Sequence, residues 1–174
     1  MNKVIFLDRD GTINVDHRYV YKIDDWEFIA QAPAALKKLQ QAGYKLAIVT
    51  NQSGIGRGYY TLADMQRLHE HMKKALREFG VEIDALAFCP HDPDLHCDCR
   101  KPAAGMGKQI EQQLGEIDYV HSWMIGDKER DVTFGQAIGA QTALITSGYW
   151  QPEMLTVPPD LIVASLEDFA AQVL

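Results

Sequence analysis

The stretch VIFLDRDGT, residues 4 to 12, is an apolar run that ends in two carboxylates and a glycine. So short a run bounded by turn signals is too brief for a helix and reads as a buried strand. Asp8 and Asp10 straddle one extended residue, so their side chains point the same way before the chain turns at Gly11. Two carboxylates thereby share one cleft at a strand's carboxyl end.

Outward from this strand, elements alternate. Pro33 starts a segment that puts Leu36 and Leu39 on one face and stops at Gly43. KLAIVT at 45 to 50 reads as a second strand and runs into the loop NQSGIGRG. Thr61, an N-cap with Asp64 three residues on, opens a long helix striped by Met65, Leu68, Met72, Leu76 and Phe79 and closed by Gly80. ALAFC, a Cys/His-rich loop, a helix near 103 to 114, YVHSWMIGD, a helix near 129 to 138, TALIT, LIVA and a last short helix complete the order. Repeated β-α units predict an α/β fold with a doubly wound, mostly parallel sheet in one domain spanning 1 to 174.

At 174 residues and 47% hydrophobic, the chain has the length to bury a core. A formal net charge of −7, with no basic patch, argues against nucleic-acid and membrane-surface partners. The first apolar run is broken at once by charge, which fits neither a secretion signal nor a membrane span, and a cytoplasmic monomer is expected.

In an open parallel sheet, ligands collect beyond the carboxyl ends of the strands. There the sequence places Asp8 and Asp10, then Thr50 and Asn51, then Asp127 and Lys128 with Asp131 just beyond, while Arg100 and Lys101 occupy an intervening loop. Carboxylates so grouped repel unless a cation holds them, and a hard, oxygen-seeking Mg²⁺ suits such donors. A nucleophile and a separate acid/base could thus act on one phosphate, with metal, Lys101 and backbone amides offsetting its charge. D-x-D-G also begins calcium loops. Such a loop needs further ligands and a Glu at its twelfth position, whereas this segment runs on as INVDHRYV.

LDRDGTIN, TNQSG, CRKP and IGDKERD resemble the four signature motifs of haloacid dehalogenase phosphatases. The resemblance implies that Asp8 attacks phosphorus and that Asp10 protonates the leaving alkoxide and then activates water. It implies further that Asp8, Asp10 and Asp127 hold Mg²⁺ while Thr50 and Lys101 bind the transferring phosphoryl group. NVDHRYV, TNQSGIGRG and the Cys/His loop are similar to the heptose bisphosphate phosphatase branch, which removes the 7-phosphate in nucleotide-heptose biosynthesis. That likeness assigns substrate contacts to Arg9, Asp16, His17, Arg18, Tyr19, Asn51, Gln52, Ser53 and Arg100. Arg18 departs from the glycine expected there, and KPAAGM from KPxPGM. The rival within the superfamily is the histidinol-phosphate phosphatase domain, and outside catalysis a zinc-organised interaction module.

Cys89, His91, Cys97 and Cys99 supply four ligands in one loop, the number of a closed tetrahedral zinc site, with His96 as rival nitrogen donor. An odd, clustered set of cysteines makes a poor disulfide framework. With no open position the zinc is expected to be structural, fixing Arg100 and Lys101 over the phosphate. His69, His71 and His121 read as structural or solvated. Thr12 to Thr50 and Asn51 to Cys89 leave no room for a cap domain, so specificity falls to the loops.

Overall fold

The computed structural model describes residues 1–174. Its strands are β1 (Val4–Leu7), β2 (Lys45–Asn51), β3 (Ala85–Cys89), β4 (Trp123–Gly126), β5 (Gln141–Ile145) and β6 (Leu161–Val163). All pair in parallel, in the spatial order β3-β2-β1-β4-β5-β6. The chain winds outward from β1 to one edge, then returns to the far side of β1 and winds to the other. The crevice beyond β1 and β4 is therefore the topological switch point, where such sheets bind ligands. Leu7 stands opposite both Ile48 and Ile125, and Asp8 N–H donates to Ile125 C=O at 2.9 Å, so the register delivers Asp8 and Asp127 side by side.

The helices are α1 (Ala32–Gln41), α2 (Ser53–Gly56), α3 (Leu62–Glu78), α4 (Gly105–Leu114), α5 (Glu129–Ile138) and α6 (Leu166–Val173). Because successive strand residues face opposite ways, β1 feeds two cores. Ile5 and Leu7 pack with Leu36 and Leu39 of α1, Met72 and Leu76 of α3 and Phe169 of α6. Val4 and Phe6 pack with Met106 and Ile110 of α4 and Phe134 of α5. Helices on both faces explain why β1 is apolar at every position rather than alternately.

The capping box at Thr61 forms as expected: Asp64 N–H donates to the Thr61 hydroxyl at 3.1 Å, and Thr61 N–H to the Asp64 carboxylate at 2.8 Å. Phe79 leaves the expected stripe. It is the C-cap of α3, about half exposed, and meets Phe28 edge-on at 6.1 Å instead of entering the core. Part of NQSGIGRG, read as loop, winds into α2. YVHSWMIGD is not strand throughout: the Asp118 side chain accepts from His121 N–H and holds Tyr119–His121 in a 3₁₀ turn, so β4 starts only at Trp123. The segments between β1 and β2 and between β2 and β3 form no separate cap. No helix is long and apolar enough to cross a membrane.

Candidate active site

β1 ends at Leu7, and the turn after it depends on Gly11, whose φ of +82° favours glycine. A Cβ at Gly11 would also overlap the Asp127 carboxylate, and one at Gly126 would overlap Asp131. These two glycines let the motif loops close on each other.

What they close around is a trio of buried carboxylates, Asp8, Asp127 and Asp131, with ligand oxygens within 4.8 Å of one another. The Lys101 ammonium, 1% exposed, bridges Asp8 at 2.9 Å and Asp131 at 2.7 Å. Burial alone would raise the Asp8 carboxyl, but Lys101, with Lys128 and Arg130, outweighs it and holds Asp8 below the usual range, ionised as a nucleophile requires. Asp127 is pushed up to about 7 by burial and by repulsion from Asp8 and Asp131, which Lys128 only partly offsets. Three carboxylate donors gathered this closely suit a hard divalent cation, and Mg²⁺ fits by donor type.

Asp10 is not part of this trio, although the sequence suggested it as a metal ligand. Its neighbour Arg9 turns the carboxylate aside, donating from Nη2 to Oδ1 at 2.8 Å and to Oδ2 at 3.0 Å. Asn14 and Gln52 add bonds of 3.0 and 3.1 Å. Asp131, noted in the sequence only as lying beyond the motif, takes the third carboxylate place because α5 begins at Glu129 and its first turn aims inward. The Asp10 side chain stays 21% exposed, on the cavity.

That cavity measures about 420 Å³ and is lined by Asp8 and Asp10 together with Asp16, Arg18, Tyr19, Asn51, Gln52, Ser53 and Arg100 from the expected substrate contacts. Two expected contacts fall elsewhere. Arg9 is fully buried behind Asp10, and His17 is turned outward, its Nε2 lying 3.2 Å from Glu27. Thr50 and Lys101 are buried at the floor, where the Thr50 hydroxyl accepts from Gln52 Nε2 at 2.8 Å. Arg57, Tyr60 and Arg130 line the cavity without having been singled out from sequence, and Lys128, placed there only by its strand-end position, lines it too. Arg57, Lys128 and Arg130 lie inside quoted motifs, which was the available signal; that Arg130 faces the cavity follows only once the first turn of α5 is placed.

The lip is held by polar and aromatic contacts. Arg18 and Tyr19 both adopt left-handed backbone, φ 61° and 49°, and Arg18 N–H donates to Asp16 Oδ1 at 2.9 Å. The Tyr149 hydroxyl donates to Asp16 Oδ2 at 2.7 Å. Tyr19 meets Tyr59 edge-on at 4.9 Å, and Tyr21 stacks on Tyr60, whose hydroxyl donates to Gln52 Oε1 at 2.5 Å.

Cys89, His91, Cys97 and Cys99 converge as expected, and His96 does not join them. His91 Nδ1 lies 3.4 and 3.2 Å from the Cys89 and Cys99 sulfurs, and Cys97 Sγ lies 3.6 and 3.7 Å from the same two. Metal–sulfur arms of about 2.3 Å give tetrahedral edges of about 3.6–3.8 Å, so the cluster could hold one metal ion of zinc's size. The next residues are tied to the sheet: Lys101 N–H donates to Asn51 Oδ1 at 2.9 Å and Asn51 Nδ2 to Lys101 C=O at 3.2 Å.

A parallel sheet that delivers an Asp-x-Asp-Gly turn, a bridging lysine and an acidic helix start to one switch point defines a haloacid dehalogenase-like phosphatase. Comparisons with known proteins agree. The family model described as polynucleotide kinase 3 phosphatase matches residues 3–142. The chain is 44% identical over 179 residues to the D-glycero-β-D-manno-heptose-1,7-bisphosphate 7-phosphatase of Haemophilus ducreyi, covering 98% of each protein. It is 45% identical over 150 residues to the same enzyme of Haemophilus influenzae, covering 83% of this chain and 80% of the relative. The crystal structure of D,D-heptose 1,7-bisphosphate phosphatase from B. bronchiseptica, complexed with magnesium and phosphate, superposes with a TM-score of 0.87 at 32% identity, covering 98% of this chain and 97% of that one. The chain belongs to the heptose bisphosphate phosphatase family of haloacid dehalogenase-like hydrolases.

Proposed function

We propose that this protein removes the 7-phosphate of D-glycero-β-D-manno-heptose 1,7-bisphosphate, as a one-domain, monomeric, cytoplasmic enzyme. One observation carries the substrate: Arg18, Arg57, Arg100, Lys128 and Arg130 line a single cavity in a chain whose formal net charge is −7. So many cations gathered on an acidic protein suit a ligand with more than one phosphate. The β-anomer is taken from the relatives' names, which specify it.

In this reading an Asp8 oxygen attacks phosphorus, the bond to the sugar oxygen breaks, and Asp10 delivers a proton to that oxygen. An aspartyl-phosphate and heptose 1-phosphate result. Water then attacks phosphorus, giving its proton to Asp10, and the bond to Asp8 breaks to release inorganic phosphate. Asp8, Asp127 and Asp131 would hold Mg²⁺, which offsets charge on the phosphoryl oxygens. Lys101 and Thr50 act from the floor on the same group. Cys89, His91, Cys97 and Cys99 would hold a structural Zn²⁺.

The test is phosphate release with Mg²⁺ from both anomers of the heptose bisphosphate and from histidinol phosphate. The β-anomer is expected to lead histidinol phosphate by on the order of 10²-fold in kcat/KM, since a substrate without the second phosphate leaves cavity cations unpaired. Preference for histidinol phosphate would overturn the assignment.

A further inference from the structure

Arg9 is fully buried, lies in the first motif and touches no part of the cavity. A guanidinium has five N–H donors and cannot accept, so every one of its neighbours must be an acceptor. Nε and Nη2 grip both oxygens of Asp10, and Nη2 also donates to Val20 C=O at 2.8 Å. The remaining nitrogen, Nη1, lies 3.0 Å from Nε2 of His69, sixty residues along the chain on α3.

His69 is 4% exposed on the buried stripe of α3 between Met65, Leu68 and Met72. Since Arg9 can only donate, Nε2 must carry the lone pair and the ring must be neutral. Burial, then the charges of Arg9 and Lys73, push its pKa down to about 3, which keeps it neutral at any working pH. The imidazole fixes the end of the guanidinium opposite Asp10, so the plane of Arg9 is set from both sides. The Asp10 carboxylate, gripped through two oxygens, takes its orientation from that plane.

We propose that His69 is a positioning residue for the reaction: it accepts from Arg9, and through Arg9 it orients the Asp10 carboxyl toward the leaving oxygen. This rests on the reading of Asp10 as proton donor. A misaligned acid slows the departure of a poor leaving group and leaves an activated one nearly untouched. A loss of packing alone would lower both alike.

The experiment measures kcat/KM for para-nitrophenyl phosphate and for the heptose bisphosphate, an alkyl phosphate, in the wild type and in His69→Leu, His69→Asn, His69→Gln and Asp10→Asn. Leu removes the acceptor, Asn is too short to reach Arg9, and Gln restores an acceptor oxygen. The alkyl-to-aryl ratio is internal to each preparation, so a partly unfolded fraction cancels, and Asn stands in should Leu fail to fold. His69→Leu and His69→Asn are expected to lose at least ~10-fold on the alkyl phosphate and under ~3-fold on the aryl one, with the ratio restored in His69→Gln. A ratio unchanged in both Leu and Asn variants while Asp10→Asn shifts it overturns the role of His69 alone. An unshifted ratio in Asp10→Asn overturns the acid assignment itself.

Discussion

The Cys/His loop and the carboxylate crevice lie next to each other, yet they are assembled by opposite means. The loop draws its four donors from one short segment that runs from Cys89, the last residue of β3, toward α4, and three of the four are only partly buried. The crevice draws its three from the ends of β1 and β4 and the first turn of α5, all buried, across most of the chain's length. A donor set from one segment needs the metal to give the segment its shape. A donor set from strand ends is shaped by the sheet, and the metal comes to a site that exists already.

The sharpest division between the two regions comes from Asp8→Asn. The carboxamide is nearly isosteric, so the sheet should keep its circular dichroism and thermal midpoint, but it cannot accept the phosphoryl group as a carboxylate does. Turnover should fall on the order of 10³-fold or more. Near-normal turnover would remove Asp8 as nucleophile.

Next in size is the acid response of the layer behind the crevice. The His69 pKa is depressed from 6.5 to about 3, so below pH 6.5 the unfolded chain binds a proton that the folded one refuses. Stability from this group is whole above about 6.5 and is lost as pH falls toward 3. Between pH 7 and 4.5 the wild type should lose roughly 2–3 kcal/mol more than His69→Gln. Urea unfolding of both proteins at the two pH values measures the difference, and parallel curves would contradict it.

The smallest effect should come from the loop. Cys99→Ser replaces a soft donor by a hydroxyl that resists deprotonation. Far-ultraviolet dichroism should stay near native while kcat/KM for the bisphosphate drops by at least ~10-fold, because Arg100 and Lys101 follow Cys99 directly. Excess Mg²⁺ should not restore it. Full activity in protein shown by elemental analysis to lack zinc would mean that the loop serves stability alone.

The same contrast explains what could be read in advance. A site built from neighbouring residues is written in the sequence, and Cys89, His91, Cys97 and Cys99 met as expected. The β-α alternation gave the strands, since short unbroken apolar runs such as VIFL and LAIV are local signals. Strand order is not local. Only the return of β4 to the far side of β1 sets Asp127 beside Asp8, and only the first turn of α5 brings the Asp131 carboxylate to them. Nor could the sequence alone set Arg9 and His17 off the cavity: each has partners of its own, Asp10 and His69 for one and Glu27 for the other, that only the fold brings together.

Arg18 and Tyr19 hold consecutive left-handed conformations that cost L-residues roughly 1–2 kcal/mol each, and both side chains reach the cavity. The lip thus carries a conformational cost while presenting a cation and an aromatic ring to the cavity. A glycine at position 18 would relieve part of that cost and remove one cavity cation at the same stroke, so at the lip thermal endurance and grip on an anionic ligand pull in opposite directions.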